Sequence, residues 1–220
     1  MSECLKYQTP NEACMHSAII SHNIDFVIFL MNEYNIDINL YLCEIYQNLE
    51  SFLVYFDQTK DINHCFVNSI CFRIPSLCEY FLSLGANINE IEEDVGPALH
   101  IAAWNNIKET AEFLLSYGAN INEKDYDGST ALHYAAYSNN KETAEILLSH
   151  GANINEKNYD GSTALHYAVW NNCKETVELL FSYGANFAEK DQTGKTALQD
   201  AEEHNRKEIV DLLFSYGAII

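Results

Sequence analysis

"GANINEKDYDGSTALHYAAYSNN" occupies residues 118–140, and much of it returns thirty-three residues later as "GANINEKNYDGSTALHYAVWNNC", residues 151–173. Between 127–159 and 160–192, 21 of 33 positions are identical. The same step runs outward in both directions. Gly-Ala pairs begin at Gly85, Gly118, Gly151, Gly184 and Gly217. "ALH" stands at 98–100, 131–133 and 164–166, and "ALQ" at 197–199. A register held this long marks a tandem array, in which each supersecondary unit is buried by its neighbours.

Residue chemistry gives one unit its shape. Thr130 has a hydroxyl placed to cap a helix that begins at Ala131. Leu132, Ala135 and Ala136 give that helix a short apolar stripe, and the alanines allow close approach of its neighbours. Asn139 falls where the chain must reverse, and Asn accepts left-handed backbone better than other non-glycine residues. Glu142 belongs in the first turn of a second helix, where a carboxylate favours the dipole. Ala144, Leu147 and Leu148 follow at core-facing spacing, and Gly151 ends the helix as its C′ glycine. "NINEKNYDG" (153–161) then crosses to the next unit as an extended loop with an Asp-Gly turn.

The period of 33, "DGSTALHYAA" (127–136), "LLSHGANIN" (147–155) and an "EK" before the next "DG" together resemble the ankyrin repeat. The family's G-x-T-P-L-H-x-A-A is matched except that Ala131 and Ala164 replace Pro. The resemblance is strong over 94–126, 127–159, 160–192 and a capping repeat at 193–220. It departs at "DVGPALH" (94–100), where Pro97 takes the Thr position and the hydroxyl cap is lost. Asn106, Asn139, Asn172 and Asn205 replace the usual turn glycine. The resemblance implies an all-α solenoid of stacked helix-turn-helix units joined by hairpin-like loops, with no catalytic activity and no cofactor. It also implies that His100, His133 and His166 hydrogen-bond across adjacent loops and hold the stack.

Upstream the pattern weakens. "HCFVNSICFRIPSLCEYFLSLGANIN" (64–89) keeps the register without the motif, which makes 61–93 a degenerate repeat. Residues 1–60 carry further helical patterns at 13–39 and 42–63. They resemble the helical segment that precedes some protist ankyrin arrays and are expected to pack on the array as degenerate repeats or a cap; a separate small helical domain is the alternative. At the other end Asp200, Glu202 and Glu203 put charge on the last helix pair, which suits a face with no successor. Ile219 and Ile220 then either fold back or lead into further chain.

Charge narrows the partners. Net charge is −20, with three basic and thirteen acidic side chains in 1–93 and nine and nineteen in 94–220. Acidity spread this evenly repels a phosphate backbone, so nucleic acid is not expected, and neutral or basic protein surfaces fit better. Seven cysteines, an odd number with no C-x-x-C pair, are expected as free thiols in a reducing cytosol. The first residues lack a signal-peptide pattern, and the longest apolar run, "FVIFLM" (26–31), is too short to insert in a bilayer.

Candidate sites follow from what the period does not dictate. His100, His133 and His166 sit one repeat apart, roughly 8–10 Å for packed helices, too far to share a metal with ligands at about 2 Å. Glu109, Glu142, Glu175 and Glu208 recur in first helical turns, which is ordinary helix chemistry. No nucleotide, nucleophile-elbow or zinc-protease motif occurs, so an enzyme is not expected. The ankyrin resemblance places recognition on a concave groove built from loop tips and the exposed side of each first helix. Carried onto this sequence, those places are Trp104, Tyr137 and Trp170, with Ser138 and Asn171 beside the latter two, on first helices. At loop tips they are Glu93 and Asp94, Tyr126 and Asp127, and Tyr159 and Asp160. Trp and Tyr are favoured at binding hot spots.

Overall fold

The computed structural model describes residues 9–91 and 96–217. Among them are seven helix-turn-helix pairs: α1 (Glu12–Ile20) with α2 (Ile24–Tyr34), α3 (Leu40–Ile45) with α4 (Leu49–Thr59), and α5 (Ile62–Ser69) with α6 (Pro75–Ser83). These are followed by α7 (Ala98–Trp104) with α8 (Lys108–Ser116), and α9 (Ala131–Tyr137) with α10 (Lys141–Ser149). The last are α11 (Ala164–Trp170) with α12 (Lys174–Ser182), and α13 (Ala197–Glu203) with α14 (Lys207–Ser215). First helices pack on first helices from α1 through α13, and second helices form a companion row. No strand occurs among the described residues; Lys190 and Thr196 form an isolated bridge. The expected all-α solenoid is what the chain forms.

The helix ends obey the residues read for them. Thr130, Thr163 and Thr196 are the N-caps of α9, α11 and α13. Asn106, Asn139, Asn172 and Asn205 all adopt left-handed backbone, with φ between 52° and 59°. The same conformation recurs upstream at His22, Gln47 and Arg73, each in the turn between the two helices of a pair. These positions advance by 25 and 26 residues, then by 33 from Arg73 onward. The first two pairs therefore repeat the helix-turn-helix unit with the long connecting loop trimmed away. Asn35–Asn39 alone joins α2 to α3, whereas Tyr117–Thr130 separates α8 from α9.

Turn asparagines do more than reverse the chain. The Asn106 side chain accepts from the Thr143 hydroxyl at 2.8 Å and donates to Glu142 at 3.3 Å; Asn139 does the same with Thr176 and Glu175. Glycine at these turns would lose this bond to the next repeat. A second ladder runs through the loops. The backbone N–H groups of Asn87, Asn120, Asn153 and Asn186 donate to the side chains of Asn63, Asn89, Asn122 and Asn155 at 2.8–2.9 Å. Lys124 reaches Glu156 (2.6 Å) and the Lys157 carbonyl, and Lys157 reaches Glu189 (2.9 Å) and the Lys190 carbonyl. Those lysines are spent inside the stack.

The histidines are buried in the same scaffold. The Thr130 N–H donates to His133 Nδ1 at 3.0 Å, so the proton of this imidazole is on Nε2, which donates to the Ser162 carbonyl at 3.1 Å. His166 is held likewise between Thr163 and the Lys195 carbonyl. Burial pushes His133 down to about 4 and lowers His100 and His166 in the same direction, which keeps all three neutral near pH 7. His100 donates to the Ser129 carbonyl at 3.0 Å, but Pro97 offers neither hydroxyl nor N–H, and His100 Nδ1 is left buried without a partner. Pro97→Thr is expected to supply both groups. An unmet buried acceptor costs about 1–3 kcal/mol, partly offset by the lost stiffness of proline, about 0.4–1 kcal/mol. The melting temperature should rise by a few degrees; a fall would show that Nδ1 has no need of a donor.

Candidate functional site

Each of three first helices ends in a large aromatic residue on one face: Trp104 on α7, Tyr137 on α9 and Trp170 on α11. Trp104 and Tyr137 stack with centroids 5.1 Å apart at 18°. Tyr134 and Tyr167 meet them edge-on at 5.6 and 6.1 Å, and Trp170 lies over His204 at 6.0 Å. Trp104, Tyr137 and Trp170, with the loop residues Tyr126 and Tyr159, are between 41% (Tyr137) and 71% (Tyr159) exposed, whereas Tyr134 and Tyr167 are half-buried beneath them. They brace one another without being buried. Ser138 and Asn171 are the C-cap residues of α9 and α11, both half-buried beside the ladder.

The loop tips are held from beneath. Asp125 Oδ1 accepts from the Asp127 and Ser129 N–H groups at 2.9 Å each, and Oδ2 accepts from the Tyr134 hydroxyl at 2.5 Å. This frame fixes Tyr126 and Asp127 at the tip. Asn158 repeats it, accepting from the Ser162 N–H and donating to the Tyr167 hydroxyl. Neighbouring tips are tied together: the Tyr159 N–H donates to the Asp127 carbonyl at 3.0 Å, and Gln192 donates to both the carbonyl and carboxylate of Asp160. Asp160 is thus committed within the array, while Asp127 keeps its carboxylate exposed. Glu93 and Asp94 lie outside the described residues.

A cavity of about 770 Å³ opens where this face meets the shorter upstream pairs. Trp104, Tyr126 and Asp127 line it from the array; Glu44 of α3 and Cys71, just after α5, line it from upstream. Glu44 was not among the residues expected from the sequence. Its Oε1 is buried with no hydrogen-bond partner. Burial raises its carboxyl to about 7, against a smaller opposing pull from the Cys71 thiol and the charge of His64. A carboxyl raised in this way leaves the fold unburdened below its ordinary value near 4.5 and costs stability as pH rises through 7, because the buried form must then be ionised. Burial likewise pushes the Cys71 thiol up to about 12, so this sulfur is no nucleophile at neutral pH.

Comparison with known families settles the class. The family model described as ankyrin repeats matches three overlapping stretches, 66–158, 99–191 and 156–220. The chain belongs to the ankyrin-repeat family. Residues 1–55 match a second family, described as a domain of unknown function, DUF3447. No curated protein matches the chain. Ankyrin repeats are generally protein-interaction modules and generally non-catalytic. Among the described residues of this ankyrin protein no helix is long and apolar enough to cross a membrane, and no group of three or more His, Cys, Asp or Glu side chains is placed to hold a metal ion.

Proposed function

We propose that this ankyrin protein is a non-catalytic cytoplasmic interaction module that binds a protein or peptide of neutral or basic character through its concave face. The observation that carries this is the row of exposed aromatic residues Trp104, Tyr137 and Trp170, the first two stacked and braced by Tyr167, beside the loop-tip carboxylate of Asp127. Rigid rings of this kind lose little side-chain entropy on binding and dominate interface energetics. The net charge of −20 favours encounter with basic surfaces and opposes nucleic acid. Six free cysteines among the described residues fit a reducing compartment.

Trp104→Ala, Tyr137→Ala and Trp170→Ala combined are expected to abolish capture of the partner in a pull-down from the source cell. Each lost ring contact contributes about 0.5–1.5 kcal/mol, so the variant should melt within several degrees of the parent. Intact binding with a collapsed melting curve would make the ladder scaffold only. We keep a second reading, in which the chain is a regulatory or anchoring domain whose specificity lies in residues 1–60, before the degenerate repeat 61–93. It is favoured by one observation: α3 contributes Glu44 to the cavity that Trp104 lines.

A further inference from the structure

Two buried hydrogen-bond acceptors lack donors at the junction of the upstream pairs and the array. Glu44 Oε1 is one and His100 Nδ1 is the other, and both residues line the same cavity. His100 is only 3% exposed, and its orphaned atom is explained by Pro97. The Cys71 thiol and His64 act on the Glu44 carboxyl, yet its Oε1 stays unmet. A glutamine there would make the same helix and remove the cost of a buried ion, so the carboxylate is a feature the fold itself does not need. The lining also holds the aromatic residues Tyr41, Trp104 and Tyr126, among aliphatic and amide neighbours. Arg73 is the one basic residue lining the cavity among the described residues; it is exposed, and its guanidinium donates to the Asn105 carbonyl at 3.3 Å.

We infer that this cavity receives a basic side chain, arginine or lysine, from the protein that docks on the concave face, with Glu44 as its anionic anchor and Trp104 as its aromatic wall. Guanidinium and ammonium groups carry donors only, which suits a cavity with the carboxylates of Glu44 and Asp127 in its lining. Either cation is attracted to the face of an indole. The acids Glu44, Asp125 and Asp127 outnumber Arg73 around the opening, so the field favours a cation as well. Asp125 is already occupied by its own loop, which leaves Glu44 as the carboxylate available at depth. The inference rests on the concave face being the docking face, and adds what the partner must present there.

The test uses the full ¹⁵N-labelled chain and four probes: the N-acetyl methylamides of arginine, lysine, norleucine and glutamate. Arginine or lysine is expected to give saturable shifts at the Trp104 indole N–H and the Glu44 and Cys71 amides. Norleucine and glutamate should bind at least tenfold more weakly. Glu44→Gln should weaken the basic probes at least tenfold while melting no lower than the parent at pH 8. Tyr183→Ala, an exposed position outside the cavity and away from the aromatic ladder, should bind them as the parent does. Equal response to norleucine, preference for glutamate, no saturable shift at these positions, or undiminished binding by Glu44→Gln would each overturn the inference. No partner is needed, so failure here leaves the pull-down result for the aromatic ladder standing on its own.

Discussion

Phe52→Ala is expected to cost about 3–5 kcal/mol and to divide unfolding into two stages. Phe52 is fully buried between Phe72, 4.9 Å away, and Phe81, 5.9 Å away, and Phe56 closes the cluster at 5.0 Å from Phe81. These rings are the centre of the upstream core, in place of the alanines and leucines that fill the array. In a stack of repeats each unit is stabilised by its own contacts and by its two neighbours. The upstream pairs are bound to the array by fewer ties. Among the described residues the loop-lysine ties of the array, Lys124 to Glu156 and Lys157 to Glu189, have no counterpart there, and the asparagine ladder reaches back only to Asn63. With Phe52 truncated, amides in 12–83 should exchange early while those in 98–215 stay protected. Simultaneous loss of protection throughout would show the two halves to be one cooperative unit.

Gly161→Ala is the other large effect, and two sister glycines serve as its controls. Gly128, Gly161 and Gly194 occupy equivalent loop positions with φ of 74°, 72° and 82°. Left-handed backbone costs alanine about 1–2 kcal/mol at each. Their neighbours differ. A Cβ at Gly161 would lie 2.9 Å from the Gln192 nitrogen and close to the Asp191 backbone, neither of which can move without breaking the bond from Gln192 to Asp160. At Gly128 it would meet the Tyr159 ring at 2.7 Å, and that exposed ring can swing aside. At Gly194 nothing lies within 4 Å. The expected order of destabilisation is Gly161→Ala, about 3 kcal/mol or more, then Gly128→Ala, then Gly194→Ala near the bare left-handed cost. Denaturant midpoints of the three variants measure it, and three equal losses would leave backbone conformation as the sole cause.

Local chemistry was legible wherever a residue acts within its own unit. Thr130 caps, Asn139 turns and Gly151 terminates, because capping and left-handed preference depend on a few adjacent atoms. The asparagine ladder was not legible, since its donors and acceptors lie 24 to 31 residues apart and meet only once helices stack. The loop lysines carried no sign that they point into the array. The upstream pairs were visible as helices, but their shorter step was hidden because His22, Gln47 and Arg73 share no residue type with the asparagines that do the same work. Glu44 went unnoticed for a related reason. One acid in "LYLCEI" looks like ordinary solvation of a short helix, and only the fold brings Cys71 and Trp104 around it.

The two connector lengths have a consequence for how such a chain can change. Helix rows continue from pairs spaced 25 residues apart into pairs spaced 33 apart without a break. The rows therefore do not require the long loop, and the loop is a detachable accessory carried by a self-sufficient spine. Tips such as Tyr126 and Asp127 can be lengthened, shortened or exchanged while the spine keeps its pitch. A chain built this way can acquire new binding preferences by editing its accessories, and can do so one repeat at a time.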